Sequence, residues 1–263
     1  MMRRASLAAV LAPVIALVAC APPPPGQRST PAASGAELGY APPPAATGAA
    51  RLTGGRVMLS GTTAPGNRVR LATPTGAAYF APADPQGAWR VILPPADGVR
   101  LFGLSAPMSG RVVQAEGYLA VTPRGEAVQF RAGSGALVLG PPGRGVALLA
   151  VDFDGKGGTV LSGSAPAGGP VKIEVDGQAR GPATADATGR FMLALNEPLS
   201  AGDHLVAVSA AAAGQQATLT ISKAPPLNSG PFRATGVVDG WRVDWLTPGG
   251  GVQSTVLLET SRG

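Results

Sequence analysis

Beyond residue 50, apolar and polar residues alternate over many short stretches of this chain. Val171, Ile173 and Val175 interleave with Lys172, Glu174 and Asp176; Phe191, Leu193 and Leu195 mark another apolar face; Trp241, Val243 and Trp245 interleave with Arg242 and Asp244. A period of two places alternate side chains on one face, as in half-buried antiparallel strands. Gly, Pro, Asn and Asp clusters such as Pro65-Gly66-Asn67 and Asp176-Gly177 separate these runs at sandwich-like spacing. No window supports a long amphipathic helix. The alanine run 210–213 is read as a loop, because Leu205 to Val208 and Ala217 to Ile221 on its flanks are strand-like.

From Gly55 the pattern repeats, without a gap for almost forty residues. Leu59-Ser60-Gly61 returns 102 positions on as Leu161-Ser162-Gly163, Val69-Arg70-Leu71 as Val171-Lys172-Ile173, and Asp84, Gly87 and Trp89 as Asp186, Gly189 and Phe191. After two inserted residues, Leu101, Leu104, Ser105 and Ala106 meet Leu205, Val208, Ser209 and Ala210. Phe130-Arg131-Ala132 then answers Phe232-Arg233-Ala234, and Pro142 to Val146 answers Pro248 to Val252. The unit is therefore read as about 100 residues, a tandem of domains and not a short solenoid repeat. Its motif order is Ser-Gly, then Val-x-Ile/Leu, then Asp-x-x-Gly-x-Phe/Trp, then a Gly-containing bend and Leu-x-x-x-Ser-Ala. That order resembles bacterial Ig-like modules, the second copy more closely through Gly163, Ala185-Asp186, Gly189-Arg190-Phe191 and Gly202 to Leu205. The resemblance implies an all-β fold of two tandem antiparallel Ig-like sandwiches, each with an added β-hairpin. Such motifs specify turns and strands and no chemistry. The expected division is 1–19 signal peptide, 20–50 linker, 51–153 first unit and 154–263 second unit.

Composition changes the picture at the N-terminus. Met1-Met2-Arg3-Arg4 precedes an apolar run from Leu7 to Val18, and Leu17-Val18-Ala19-Cys20 ends in the only cysteine. This tetrapeptide resembles the lipobox of bacterial lipoproteins. The resemblance implies diacylglycerol on Cys20, cleavage before it with Leu17, Val18 and Ala19 as recognition residues, and an envelope location. Ala21 in place of aspartate points to the outer membrane. The run is too short for a spanning helix and is interrupted by Pro13. Two or three acyl chains, at about 0.8 kcal/mol per buried methylene, make such attachment effectively permanent. Residues 21–50 are rich in Pro and Ala and read as an extended tether of about 3.1 Å per residue.

Net charge is +6, with 21 basic and 15 acidic side chains. Removing residues 1–19 takes two arginines and leaves about +4. No basic cluster interleaved with aromatics appears, so nucleic acid is not an expected partner. One lipidated cysteine and one histidine cannot build a zinc site. His204 fills the slot of Arg100 in the first copy and is read as a solvated edge residue, with no Gly-x-Ser-x-Gly elbow in support of catalysis. Asp152-Phe153-Asp154-Gly155-Lys156-Gly157 begins like a calcium loop, but Lys156 and Gly163 stand where oxygen ligands belong, so it is read as a turn. Asp84 and Asp186 are read as turn formers. Trp89, matched by Phe191, is expected in the core. Trp241 and Trp245 share one strand face and are candidate ligand-contact aromatics, weighed against burial with Val243, which would leave Arg242 and Asp244 in water. The expected function is non-enzymatic: an envelope-facing scaffold or adhesion-type module, anchored to the membrane, with an envelope protein or polysaccharide as partner and no cofactor or metal. Carbohydrate or peptidoglycan binding and an unrecognised hydrolase are the rival readings.

Overall fold

The computed structural model describes residues 42–140 and 145–259. Leu17, Val18, Ala19, Cys20, most of the proline-rich segment and residues 142–144 of the repeat lie outside them. Strands dominate what is described. The first half contains β1 (Ala45–Arg51), β2 (Val57–Thr62), β3 (Arg68–Ala72), β4 (Ala78–Pro82), β5 (Ala88–Leu93), β6 (Arg100–Met108), β7 (Arg111–Gln114), β8 (Tyr118–Val121), β9 (Ala127–Phe130) and β10 (Leu137–Leu139). They form a three-stranded sheet β1-β2-β5 and a seven-stranded sheet β10-β9-β8-β6-β3-β4, with β7 also paired to β6. Between these sheets lie Leu59, Val69, Leu71, Trp89, Phe102 and Leu104, the apolar positions of the alternating runs.

The second half contains β11 (Ala147–Asp154), β12 (Thr159–Ser164), β13 (Pro170–Val175), β14 (Gln178–Thr184), β15 (Arg190–Ala194), β16 (Gly202–Ala210), β17 (Ala213–Ile221), β18 (Phe232–Val237), β19 (Gly240–Leu246) and β20 (Val252–Leu258). Its sheets are β15-β12-β11-β20-β19-β18 and β14-β13-β16-β17. Leu161, Val171, Ile173, Phe191, Val208 and Leu219 fill the space between them. The alanine run closes the β16–β17 hairpin, with Ala211 at φ 51.

The sequence repeat recurs in the strand register. Ala45 pairs with Thr62, as Ala147 does with Ser164. The same edge strand bulges in both halves, between Ala46 and Gly48 and between Leu148 and Ala150. Gly61 sits opposite Trp89 and Gly163 opposite Phe191, and the missing side chain is what admits the ring. A Cβ at Gly61 would lie 2.5 Å from the Trp89 ring and 1.9 Å from the Ala45 carbonyl; at Gly163 it would lie 2.3 Å from Phe191 and 2.2 Å from the Ala147 carbonyl. The repeated Ser-Gly and Phe/Trp motifs are thus two halves of one packing device.

The structure differs from the sequence reading at the boundaries. β1 begins at Ala45, inside the stretch assigned to the tether. Its small residues carry no strand signal of their own, and pairing with β2 recruits them. β11 crosses the expected 153/154 division and belongs wholly to the second sandwich. The added strands also differ between halves: β9 and β10 extend from β8, the counterpart of β17, whereas β20, β19 and β18 extend from β11. Phe130 consequently ends β9 while Phe232 starts β18, so the two are not equivalent.

These added strands create a third core. Val99, Leu101, Ala120, Val128 and Phe130 of the first half pack against Ala150, Val243, Trp245 and Leu257 of the second. Phe130 and Trp245 stack with ring centroids 5.4 Å apart and planes 14° apart. Each large apolar side chain so buried contributes about 1.5–3 kcal/mol, and aromatic pairs add about 0.5–1.5 kcal/mol.

Gly163→Val forces a side chain into the Phe191 ring and is expected to lower stability by about 3 kcal/mol or more, at the upper end of overpacking costs. Gly214→Ala, where an added Cβ meets nothing nearer than 3.5 Å, is expected to stay within about 0.5 kcal/mol of the parent. Urea unfolding of both variants measures the difference, and equal midpoints would contradict the packing role of Gly163.

Candidate functional site

β19 displays Trp241, Val243 and Trp245 on one face, and that face meets the third core. Trp245 is 0 % exposed. Its indole Nε1 donates to Thr255 Oγ1 at 3.1 Å, and Tyr118 meets it edge-on at 5.9 Å. Trp241 is half-buried against the same core. Trp245 therefore has no free ring face for a sugar, and the pair is not an exposed ligand platform.

The opposite face of β19 is not in water either. Asp244 is buried and accepts from Arg233 Nη2 at 2.7 Å, Arg242 Nε at 2.8 Å and Ser254 Oγ at 2.7 Å. Burial alone would raise the pKa of Asp244, but the bonds from Arg233, Ser254 and Arg242 outweigh it and hold the carboxyl below its usual range. Arg242 also donates to the Ser222 hydroxyl and carbonyl, and its guanidinium lies 5.2 Å from the centre of the Phe153 ring. Arg233 reaches the carbonyls of Pro225 and Pro226. The irregular segment following β17 is thus pinned to the second sandwich by two arginines. Periodicity correctly set Arg242 and Asp244 opposite the tryptophans, but it could not show that the chain doubles back over them.

His204, expected at a solvated edge, is 8 % exposed. Nδ1 lies 2.7 Å from Asp176 Oδ2 and Nε2 lies 2.9 Å from the Ser200 carbonyl. Both partners are acceptors, so both ring nitrogens must donate, and the ring is satisfied as an imidazolium. Asp176 occupies the β13–β14 turn at φ 53, followed by Gly177 at φ 76, the Asp-Gly pairing that a tight hairpin favours. Its second oxygen accepts the Leu205 N–H at 2.9 Å. The cluster ties the hairpin turn to the entry of β16. Both ring nitrogens are engaged in that tie, which leaves neither to act as a base on a nucleophile in this arrangement.

Three turn aspartates are spent on backbone. Asp84 accepts from the N–H groups of Gln86 and Ala88, and Asp186 from those of Thr188 and Arg190. Asp154 repeats the arrangement with Lys156 and Gly158, so the segment resembling a calcium loop is a turn organised by its own carboxylate. Among the described residues, no group of three or more His, Cys, Asp or Glu side chains is placed to hold a metal ion.

Two polar anchors between the halves carry no local motif. Asp152 is buried and accepts from the Ala136 N–H at 2.6 Å, Thr255 Oγ1 at 2.6 Å and Gln253 Nε2 at 3.2 Å. Burial raises its pKa, and these donors oppose the rise. Arg190 of β15 donates to the carbonyls of Val138 at 3.2 Å and Gly140 at 2.7 Å, clasping the end of β10. The Arg190 contacts span 52 and 50 residues, and the Asp152 cluster joins Ala136, 16 residues away, to Gln253 and Thr255, 101 and 103 away, so only the fold brings them together.

With this geometry in view, residues 147–225 match the family model described as bacterial Ig domain. That stretch is an Ig-like domain. The match begins at β11, where the register places the start of the second sandwich. No curated protein matches the chain. Among solved structures, the chain is similar to the BSP domain of a biofilm-associated protein, with 15% identity over 69% of this chain and 30% of that one and a TM-score of 0.23. It thus spans less than a third of that protein's length. It is also similar to the central fibronectin-III array of RIM-binding protein, with 15% identity over 82% of this chain and 89% of that one and a TM-score of 0.25. At these scores neither likeness carries an argument about the Ig-like domain.

The hydrogen bond that the ring donates to Asp176, then that to the Ser200 carbonyl, raises the His204 pKa above its ordinary 6.5, against burial and the charge of Arg180. The same bond, then the Leu205 N–H, lowers that of Asp176 below 3.8. The stabilisation is full between those two ordinary values. The histidine part is lost as pH rises through its raised pKa, and the aspartate part as pH falls through its lowered one. Compared with His204→Gln, the parent chain is therefore expected to lose stability as pH rises from about 6.5 to 9. Urea midpoints across that range measure it; parallel curves for the two proteins would remove the imidazolium from the account.

Proposed function

We propose that this protein is a membrane-anchored, envelope-facing lipoprotein whose body, two tandem Ig-like units, binds or scaffolds without catalysing a reaction. The observation that carries this reading is the third core. It joins the sandwiches through a continuous apolar contact, so they present their outer strands and loops in a fixed relation. That is a useful property for a surface that works by contact. Support for a non-catalytic role comes from the polar clusters, whose carboxylates and single imidazole are occupied by turn, strap and hairpin hydrogen bonds. Support for the anchor comes from Leu17-Val18-Ala19-Cys20 behind a cationic, apolar start. Support for counting the first sandwich as a second, diverged Ig-like unit comes from the shared bulge and the Gly61–Trp89 and Gly163–Phe191 pairs. In this reading the lipid on Cys20 holds the chain at the outer membrane, and its partner is an envelope protein or polysaccharide.

Cys20→Ser is expected to shift the protein from the membrane fraction to the soluble fraction and to abolish incorporation of a labelled fatty acid. Unchanged sedimentation with membranes and unchanged labelling would remove the anchor.

A further inference from the structure

The outer face of the seven-stranded sheet is only partly covered. Leu101, Ala120, Val128 and Phe130 lie under the second sandwich, whereas the same face continues with exposed side chains on β4, β3 and β7 around a buried Ser105 of β6. Register fixes two rows there. Phe80, Arg70, Ser105 and Gln114 are direct neighbours across four strands. One step of two residues along, Pro82 pairs with Arg68 and Pro107 with Val112, and the Asn67 amide, bonded to the Pro107 carbonyl at 2.6 Å, closes the gap between them. Phe80 is 48 % exposed and Val112 67 % exposed, and the Arg68 guanidinium lies 4.4 Å from the centre of the Phe80 ring. Neither row contains an acidic side chain, and Arg111 stands at the adjoining hairpin tip.

Charge is divided unevenly along the chain. Residues 42–140 hold nine arginines, no lysine and four acids, whereas residues 145–259 hold seven basic and ten acidic side chains. The exposed part of the face therefore belongs to a cationic half. It also lies where the chain enters the body. Ala45 pairs with Thr62, the next turn leads into Arg68, and Arg68 lies alongside Pro107 and the β6–β7 tip, so all share one end of the sandwich.

We propose that this face, with Arg68 and Arg70 around Phe80 and Val112, docks on an anionic phospholipid surface. This inference rests on the membrane-anchored reading, in which the tether keeps the first sandwich within reach of lipid. Arginines at the headgroup level attract phosphate, and the exposed phenyl and isopropyl groups enter the headgroup boundary. A flat apolar and cationic face at the anchored end suits a bilayer better than it suits an acidic loop, which would need a groove.

The test uses the chain from Ala21 onward, without lipid, and vesicles of phosphatidylglycerol and phosphatidylcholine against phosphatidylcholine alone. The parent is expected to cosediment with the anionic vesicles in a salt-sensitive manner. R68Q/R70Q is expected to lower the partition coefficient by about tenfold or more, and F80S/V112S to lower it as well. K156Q/K172Q, an equal charge change in the other half, is expected to leave it within about twofold of the parent, consistent with local screening. Circular dichroism melts confirm that each variant folds. Absence of vesicle binding, or an equal loss in the lysine variant, would overturn the proposal. Equal binding to soluble polyglutamate, unaffected by F80S/V112S, would overturn it in favour of an acidic protein partner. Because the test chain carries no acyl group, its failure is separable from failure of lipidation at Cys20.

Discussion

The contact between Phe130 and Trp245 is the point on which the rest of the molecule depends. Each half is a sandwich with its own core, yet each also extends one of its sheets, by β9 and β10 in the first half and by β18 to β20 in the second, with inner residues such as Leu139 and Val256 joining the half's own core. Their outer faces are apolar and would be exposed in an isolated half, with Phe130, Val128, Val243 and Trp245 all in water. Burying them against each other converts two liabilities into one interface. Asp152 and Arg190 then fix its position, because their hydrogen bonds to the Ala136 N–H and to the Val138 and Gly140 carbonyls are directional where apolar packing is not.

The two halves share packing devices but differ in their added strands. Both halves keep the bulged first strand and the glycine beneath an aromatic ring, since neither can change alone without a clash or a cavity. The added strands carry no such constraint and joined different sheets. One result is that the outer face of the seven-stranded sheet is buried at one end and largely exposed at the other. Charge followed the same division, with arginine on the first half and an acidic excess on the second.

Much of the fold was legible in the sequence because it rests on local pattern. Alternation at Val171-Lys172-Ile173 and Phe191-Met192-Leu193 fixes strands and faces, and Asp84 and Asp186 announce the turns their carboxylates organise. Less was legible where a residue's environment is made by distant chain. β1 is almost entirely alanine, glycine and threonine, and only its pairing with β2 makes it a strand. Trp245 and Phe130 each look like core residues of their own unit, and nothing nearby says that they stack on one another. His204 sits in a slot that takes arginine in the other copy, so exposure was the natural reading, yet Asp176 in a turn 28 residues earlier draws it in. Asp244 looked solvated because no pattern reveals the strap from Ser222 to Pro226.

Calorimetric unfolding of the intact chain tests the fused-sandwich account most directly. If the third core couples the halves, the chain gives one transition whose calorimetric and van't Hoff enthalpies agree, and Trp245→Ala splits it into two. Two resolved transitions in the parent chain would show that the sandwiches unfold independently and would contradict the account.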